Sequence, residues 1–161
     1  DMVKESIFNI LKHSKKINLS IENSDILDLF SGTGSFGLEC ISRGAKSITF
    51  IESHANAIKI LKKNIFNLDV KDRCQIIEKN CFSHLKSLNK ISKAYNIIFI
   101  DPPYKEEKFN EIIELIKKKR LLLPHGIIII HRHKNDFVEI SPELKLFDSR
   151  VYGISKITIG N

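Results

Sequence analysis

Asp101-Pro102-Pro103-Tyr104 follows the apolar run Ile97-Ile98-Phe99-Ile100. The two prolines cannot donate to a β-ladder and confine the backbone, so the loop they form is stiff. It presents a carboxylate, a proline carbonyl and an aromatic ring. An amino group on a nucleobase is a poor nucleophile, because its lone pair is delocalised into the ring. Two acceptors, the Asp101 carboxylate and the Pro102 carbonyl, would each take one N–H, pull the nitrogen toward tetrahedral geometry and aim the lone pair. Acceptors held by Pro102 and Pro103 need little reorganisation, where electrostatic catalysis gains most. Tyr104 offers a face for an unpaired or flipped base, worth about 1–3 kcal/mol of stacking. This chemistry needs neither a metal nor a covalent intermediate, and Asp101 need not be a strong base, because the product ammonium is acidic. The bland alternative is a Pro-Pro turn carrying a surface tyrosine.

A second constellation lies upstream in Asp28-Leu29-Phe30-Ser31-Gly32-Thr33-Gly34-Ser35-Phe36-Gly37. Gly32, Gly34 and Gly37 match G-x-G-x-x-G, and Glu52 stands 20 residues beyond Gly32. That is the spacing of a dinucleotide fingerprint, in which the acid grips a ribose diol. Asp28 points elsewhere. At the end of a strand its charge would face the same crevice, repelling a pyrophosphate by about a kcal/mol or more. It would welcome the ammonium and sulfonium of S-adenosylmethionine, whose ribose still needs Glu52. NAD remains the alternative cofactor, with an oxidoreductase as the corresponding activity. The plainest alternative is that the glycines only make a tight strand–helix turn. Asn80-Cys81-Phe82 follows a third apolar segment; Asn80 could bond an adenine edge with Phe82 packed on the ring, or simply cap a helix.

The elements that must position these residues alternate strand and helix. An amphipathic helix carries Val3, Ile7, Ile10 and Leu11 on one face, and Ser20 to Asp25 is loop-like. Strands are expected at Ile26–Phe30, Ser47–Glu52, Gln75–Glu78, Ile97–Asp101 and Gly126–Ile130. Helices are expected at about Ser35 to Arg43 (ended by Gly44), His54–Leu68, near Phe82–Leu88 and at Phe109–Lys119. Leu144–Tyr152 and Ser155–Ile159 read as two strands joined by a tight turn at Gly153. The pattern predicts a single α/β domain over residues 1–161, with a mostly parallel sheet, helices on both faces and an antiparallel edge.

Composition bounds the function. A chain of 161 residues with 42% apolar content suits one globular core. The net charge of +7 permits a polyanionic partner without requiring one. Three cysteines without CxxC spacing fit reduced thiols in the cytoplasm, and the scattered histidines complete no zinc site. No apolar run approaches membrane-spanning length and no signal peptide opens the chain. Lys105 and Arg132, close to the expected crevice, are the preferred contacts for a polyanionic partner such as nucleic acid. Lys117-Lys118-Lys119-Arg120 reads first as a solvated helix end, since cations favour helix C-termini.

Asp28-Leu29-Phe30-Ser31-Gly32-Thr33-Gly34, Glu52, Asn80 and Asp101-Pro102-Pro103-Tyr104 resemble the motifs of amino-methylating class I methyltransferases. Val3-Lys4-Glu5-Ser6-Ile7-Phe8-Asn9-Ile10-Leu11 resembles the helix preceding them in the RsmD-type family, which methylates the N2 amino group of a guanine in small-subunit (16S) ribosomal RNA. The resemblance runs from about Met2 to the final hairpin with Tyr152-Gly153. It implies a Rossmann-like, seven-stranded sheet, S-adenosylmethionine as donor, and ribosomal RNA within a small-subunit assembly intermediate as substrate. It implies cofactor contacts at Asp28, Phe30, Ser31, Gly32, Thr33, Gly34, Glu52, Ser53, Asn80, Cys81 and Phe82, with Phe8 and Asn9 helping to close the pocket. Asp101, Pro102, Pro103 and Tyr104 would be the catalytic loop.

Two departures stand out. Asp1-Met2 reads as the start of a trimmed or tagged fragment; the family's basic N-terminal arm, with its Arg-Pro-Thr stretch, would lie before it, and a chain without that arm is expected to bind RNA poorly. His131-Arg132-His133 stands where the family more often has an acidic residue. The loop chemistry leaves adenine in RNA or DNA open as the target, and a non-catalytic RNA-binding domain is a further alternative. No insertion resembling a DNA target-recognition region is visible. Glutamine side-chain methylation fits less well, because that group usually has Asn at the Asp101 position.

Overall fold

The computed structural model describes residues 2–89, 93–103 and 108–161. Seven strands form one sheet: β1 (Asp25–Asp28), β2 (Ser47–Ile51), β3 (Cys74–Ile77), β4 (Tyr95–Ile100), β5 (Leu122–His133), β6 (Leu146–Tyr152) and β7 (Ser155–Gly160). Their spatial order is β3-β2-β1-β4-β5-β7-β6. β1 to β5 are mutually parallel, while β7 runs antiparallel to both β5 and β6. This is the expected Rossmann-like class I methyltransferase architecture, C-terminal antiparallel hairpin included.

The helices are α1 (Met2–His13), α2 (Ser35–Ser42), α3 (Ala55–Asn67), α4 (Cys81–Ser87) and α5 (Phe109–Lys118). They cover both faces because the central strands are apolar on both. Alternate residues point to opposite sides. Ile97, Phe99, Ile127 and Ile129 join the core under α1, α2 and α3. Ile98, Ile100, Ile128 and Ile130 join the other core, under α4 and α5. A strand buried on both faces reads as a continuous apolar run, which is why the Ile-rich stretches of β4 and β5 stand out in sequence.

Strand order reverses between β1 and β4. In such sheets the crevice beyond the carboxyl ends of the strands at the reversal is where ligands bind. The Asp28–Gly37 segment and the Asp101-Pro102-Pro103 loop leave the sheet at those two ends.

Most boundaries shift from the sequence reading by one or two residues, and the shifts in the first, fifth and sixth strands have visible causes. The first strand ends at Asp28, not Phe30, which sits at φ 68. A left-handed non-glycine residue ends the strand despite the β-favouring ring, and such backbone strain is concentrated at functional loops. The fifth strand is longer, beginning at Leu122 and running to His133. Pro124 and His125 (φ 64) lie within it where the register with β4 shifts, so Pro124 falls in a bulge that needs no ladder donor. The sixth strand begins at Leu146, after Leu144 has joined the core.

No helix among the described residues is long and apolar enough to cross a membrane. Among those residues, no group of three or more His, Cys, Asp or Glu side chains could hold a metal ion.

Candidate active site

The β1–α2 segment builds one wall of the crevice. Phe30, Gly32 and Gly34 all have positive φ (68, 57 and 90), alternating with right-handed or extended neighbours. This winding is pinned from within: the Ser31 N–H donates to the Ile51 carbonyl at 3.0 Å and the Gly34 N–H to the Ser31 carbonyl at 2.9 Å. A Cβ on Gly32 would meet nothing within 4 Å, so the need for glycine there is conformational. Gly37 answers to packing instead: a Cβ would clash with the Phe50 ring and lie 2.9 Å from Ile48 Cγ2. The third glycine lets α2 press onto β2.

Glu52 ties this loop to the next. Its Oε1 accepts the Gly32 N–H at 2.7 Å, and its Oε2 accepts the backbone N–H groups of Ser53 and His54, both at 3.0 Å. His54 Nδ1 lies 3.2 Å from the same oxygen. Burial opposes ionisation of Glu52, but the hydrogen bonds from His54, Gly32 and Ser53 outweigh it and hold the carboxyl below its ordinary range. Glu52 is therefore a fixed carboxylate at the end of β2, placed to accept from a diol.

A cavity of about 570 Å³ opens between these segments. It is lined by Phe30, Ser31 and Gly32 from the glycine loop, by Glu52 and Ser53 after β2, by Asn80, Cys81 and Phe82 after β3, and by Asp101, Pro102 and Pro103 after β4. The Ser31 Oγ is buried in this wall with no hydrogen-bond partner among the described residues. A buried, unsatisfied hydroxyl calls for a ligand or water. Asn80 caps α4, its Oδ1 accepting the Ser83 N–H at 3.2 Å, and it also lines the cavity. His54, Ala57 and Lys79 line the cavity as well. Sequence reasoning passed over these three, although each is within five residues of Glu52 or Asn80.

Other expected cofactor residues lie elsewhere. Phe8 is 2% exposed and forms the outer ring of a stack, 5.5 Å from Phe36, which lies 4.0 Å from Phe99. Arg43 covers its other face. Phe8 thus braces β4 through packing and does not line the cavity. Asn9, one residue on, faces solvent from α1. Thr33 is exposed, its carbonyl accepting from Asn64 Nδ2, and Gly34 is buried against Leu38 and Leu61. The reason in each case is helical or turn geometry: adjacent positions cannot share one face.

Asp28 also departs from expectation. It is 2% exposed, beneath the loop, and its carboxyl accepts the Gly37 N–H. Burial, reinforced by the charges of Asp101 and Glu52, pushes its pKa up to about 8. An Asp28 held neutral does not repel a pyrophosphate, so that argument against a dinucleotide fails.

Asp101 is half-exposed at the end of β4. Its Oδ1 lies 3.1 Å from His131 Nδ1 on β5. The pairing follows from register, because Ile100 opposes Ile130 and the next residues on each strand are neighbours. Asp101, Pro102 and Pro103 line a second cavity of about 590 Å³, together with Phe109, His131 and Ser155. The loop is thus a partition with a cavity on each side. Tyr104 and Lys105 lie outside the described residues.

Arg132 lines the second cavity but is not a free cation. Its side chain is 8% exposed, donates to the Val138 carbonyl at 2.7 Å, lies 3.7 Å from Asp136 and covers the Phe109 ring. Its expected role as an RNA phosphate contact gives way to a structural one. Lys119 likewise donates to the carbonyls of Lys86 and Leu88, joining the end of α5 to that of α4.

The chain matches the family model "Conserved hypothetical protein 95" over residues 1–161. It is 31% identical to the putative rRNA methyltransferase YlbH of Bacillus subtilis, across 99% of this chain and 84% of that protein. It is 32% identical to the ribosomal RNA small subunit methyltransferase D of Haemophilus influenzae, across 89% of this chain and 70% of that protein. Among solved structures, a putative methyltransferase from Escherichia coli superposes with a TM-score of 0.84 at 27% identity, covering 99% of this chain and 85% of its own. The order of the strands, the two loops at the reversal and the full-length match agree, and the chain belongs to the conserved hypothetical protein 95 family, that of the small-subunit ribosomal RNA methyltransferases D.

Proposed function

We propose that the chain methylates the exocyclic N2 amino group of a guanine in small-subunit ribosomal RNA, presented in an assembly intermediate in the cytoplasm. The observation that carries this reading is the partition: Asp101, Pro102 and Pro103 face two cavities at once, one suited to a donor and one to an acceptor. Glu52, the unsatisfied Ser31 hydroxyl and Asn80 fit the ribose, the polar atoms and the adenine edge of S-adenosylmethionine. Bound there, that donor supplies an electrophilic methyl group on a sulfonium.

The chain's own residues do the rest. Glu52 and Ser31 orient the donor side. The Asp101 carboxylate and the Pro102 carbonyl take the two N–H groups of the acceptor amine and aim its lone pair through the partition. Pro103 and Phe109 give the second cavity apolar surface for a flat base. Names of the family's members support a methyl donor over a dinucleotide, although the glycine spacing alone fits either. Guanine, and not adenine, rests on the family resemblance.

The test is methyl transfer from labelled S-adenosylmethionine to small subunits lacking the modification, with the labelled nucleotide mapped by mass spectrometry. One N2-methylguanine, absent with Asp101→Ala although S-adenosylhomocysteine still binds, is the expected result. Label on adenine, or transfer undiminished by Asp101→Ala, overturns the reading.

A further inference from the structure

His131 completes a chain of contacts that the proposed chemistry does not use. Its Nδ1 lies 3.1 Å from Asp101 Oδ1, and its Nε2 lies 2.8 Å from Ser155 Oγ. The imidazole is largely buried between β5 and the start of β7, and all three side chains line the second cavity. An ionised carboxylate only accepts, so Nδ1 carries the proton and donates to Asp101. In a neutral ring Nε2 is then the acceptor, and the Ser155 hydroxyl donates to it. Both ring nitrogens are satisfied, which fixes tautomer and ring orientation together.

The order Ser155–His131–Asp101 has the connectivity of a nucleophilic triad, but its surroundings do not. Ser155 is only 7% exposed and its backbone is paired with Tyr152 on one side and His133 on the other. Nothing in the ladder leaves a pair of N–H groups for an oxyanion. The arrangement suits orientation instead. Half-exposed and followed by two prolines that donate nothing, Asp101 has His131 as its one ion-pair partner among the described residues.

We propose that His131 is a positioning residue for methyl transfer: it binds Oδ1 of Asp101 so that Oδ2 alone faces the acceptor amine, and Ser155 holds His131 in the tautomer that can do so. This rests on the function proposed above.

Asparagine and glutamine separate this from a packing role. The Asn amide nitrogen falls near the position of Nδ1, the Gln amide nitrogen near that of Nε2. In steady-state assays on small subunits, His131→Ala should lower kcat by about thirty- to a hundredfold, the scale of a misplaced reacting group. KM for S-adenosylmethionine should stay within twofold. His131→Asn should recover kcat to within about threefold of the wild type, and His131→Gln should not. Imidazole nitrogen-15 spectra of the free wild-type protein should show His131 protonated at Nδ1, and Ser155→Ala should let the other tautomer appear. Equal activity of the Asn and Gln variants, an undiminished kcat in His131→Ala, or an Nε2-protonated ring in the wild type overturns the proposal. A wild-type chain with no transferase activity overturns the function instead, and the spectra then decide the Asp101–His131 bond on their own.

Discussion

Replacing Asp28 with Asn should stabilise the free protein, and increasingly so as pH rises. Asp28 is 2% exposed, with a pKa raised from the ordinary 3.8 to about 8, first by burial and then by the charges of Asp101 and Glu52. A carboxyl whose pKa is higher folded than unfolded binds more protons in the folded state between those two values. Its cost to stability is therefore absent below about pH 3.8, grows as pH rises, and is complete above about pH 8. At about 1.4 kcal/mol per unit, ionising the unfolded state alone amounts to about 4 kcal/mol at pH 7. Polar relaxation around the acid and burial of the replacing amide reduce the expected gain to about 2 kcal/mol, or about 4–8 °C in Tm for a domain of this size. The amide oxygen can still accept the Gly37 N–H, so that donor keeps its partner. Thermal and urea unfolding of both proteins at pH 5, 7 and 8.5 measures the effect. The stability gap should widen across the series; a gap that is constant, or a variant less stable at pH 7, refutes the argument.

Glu52→Gln puts an amide among the backbone donors Gly32, Ser53 and His54, so S-adenosylhomocysteine affinity should fall at least tenfold by calorimetry. Gly37→Ala must displace the Phe50 ring, and overpacking of this kind should cost about 1–3 kcal/mol in urea unfolding. Arg132→Met should lower Tm through loss of the Val138 and Asp136 contacts. It should leave the salt dependence of RNA binding, measured by filter retention, unchanged, since a guanidinium used inside the protein neutralises no phosphate.

The sheet was legible because burial on both faces writes itself into sequence as unbroken apolar runs, and glycines and prolines punctuate them. The cavity proposed for the donor was legible for the same reason that parallel sheets bind at one edge: each loop after β1, β2, β3 and β4 contributes residues one to four positions past its strand, so Gly32, Glu52, Asn80 and Asp101 could be placed by counting. Depth was not countable. Whether Asp28 faces the crevice or lies beneath it depends on how the loop folds over it. Phe8 carries a motif position, yet its ring serves the stack on Phe36 and Phe99.

The second cavity was the least legible part, because its residues come from opposite ends of the topology. Ser155 lies 54 positions from Asp101 and reaches it only because β7 turns back beside β5. The antiparallel hairpin is therefore more than a cap on the edge of a parallel sheet. β5 bonds β4 on one side and β7 on the other, so its His131 reaches both the end of β4 and the start of β7. A purely parallel sheet would send its next strand in beside β5 from the far end, and its C-terminal edge would meet only more loops. By running backwards, β7 places the first residue of a rigid strand, Ser155, at the catalytic end. On the function proposed above, the acceptor side of the partition is thereby backed by two strands that brace Asp101, and a carboxylate braced by strands is held to the tolerance of in-line transfer better than one held by loops alone.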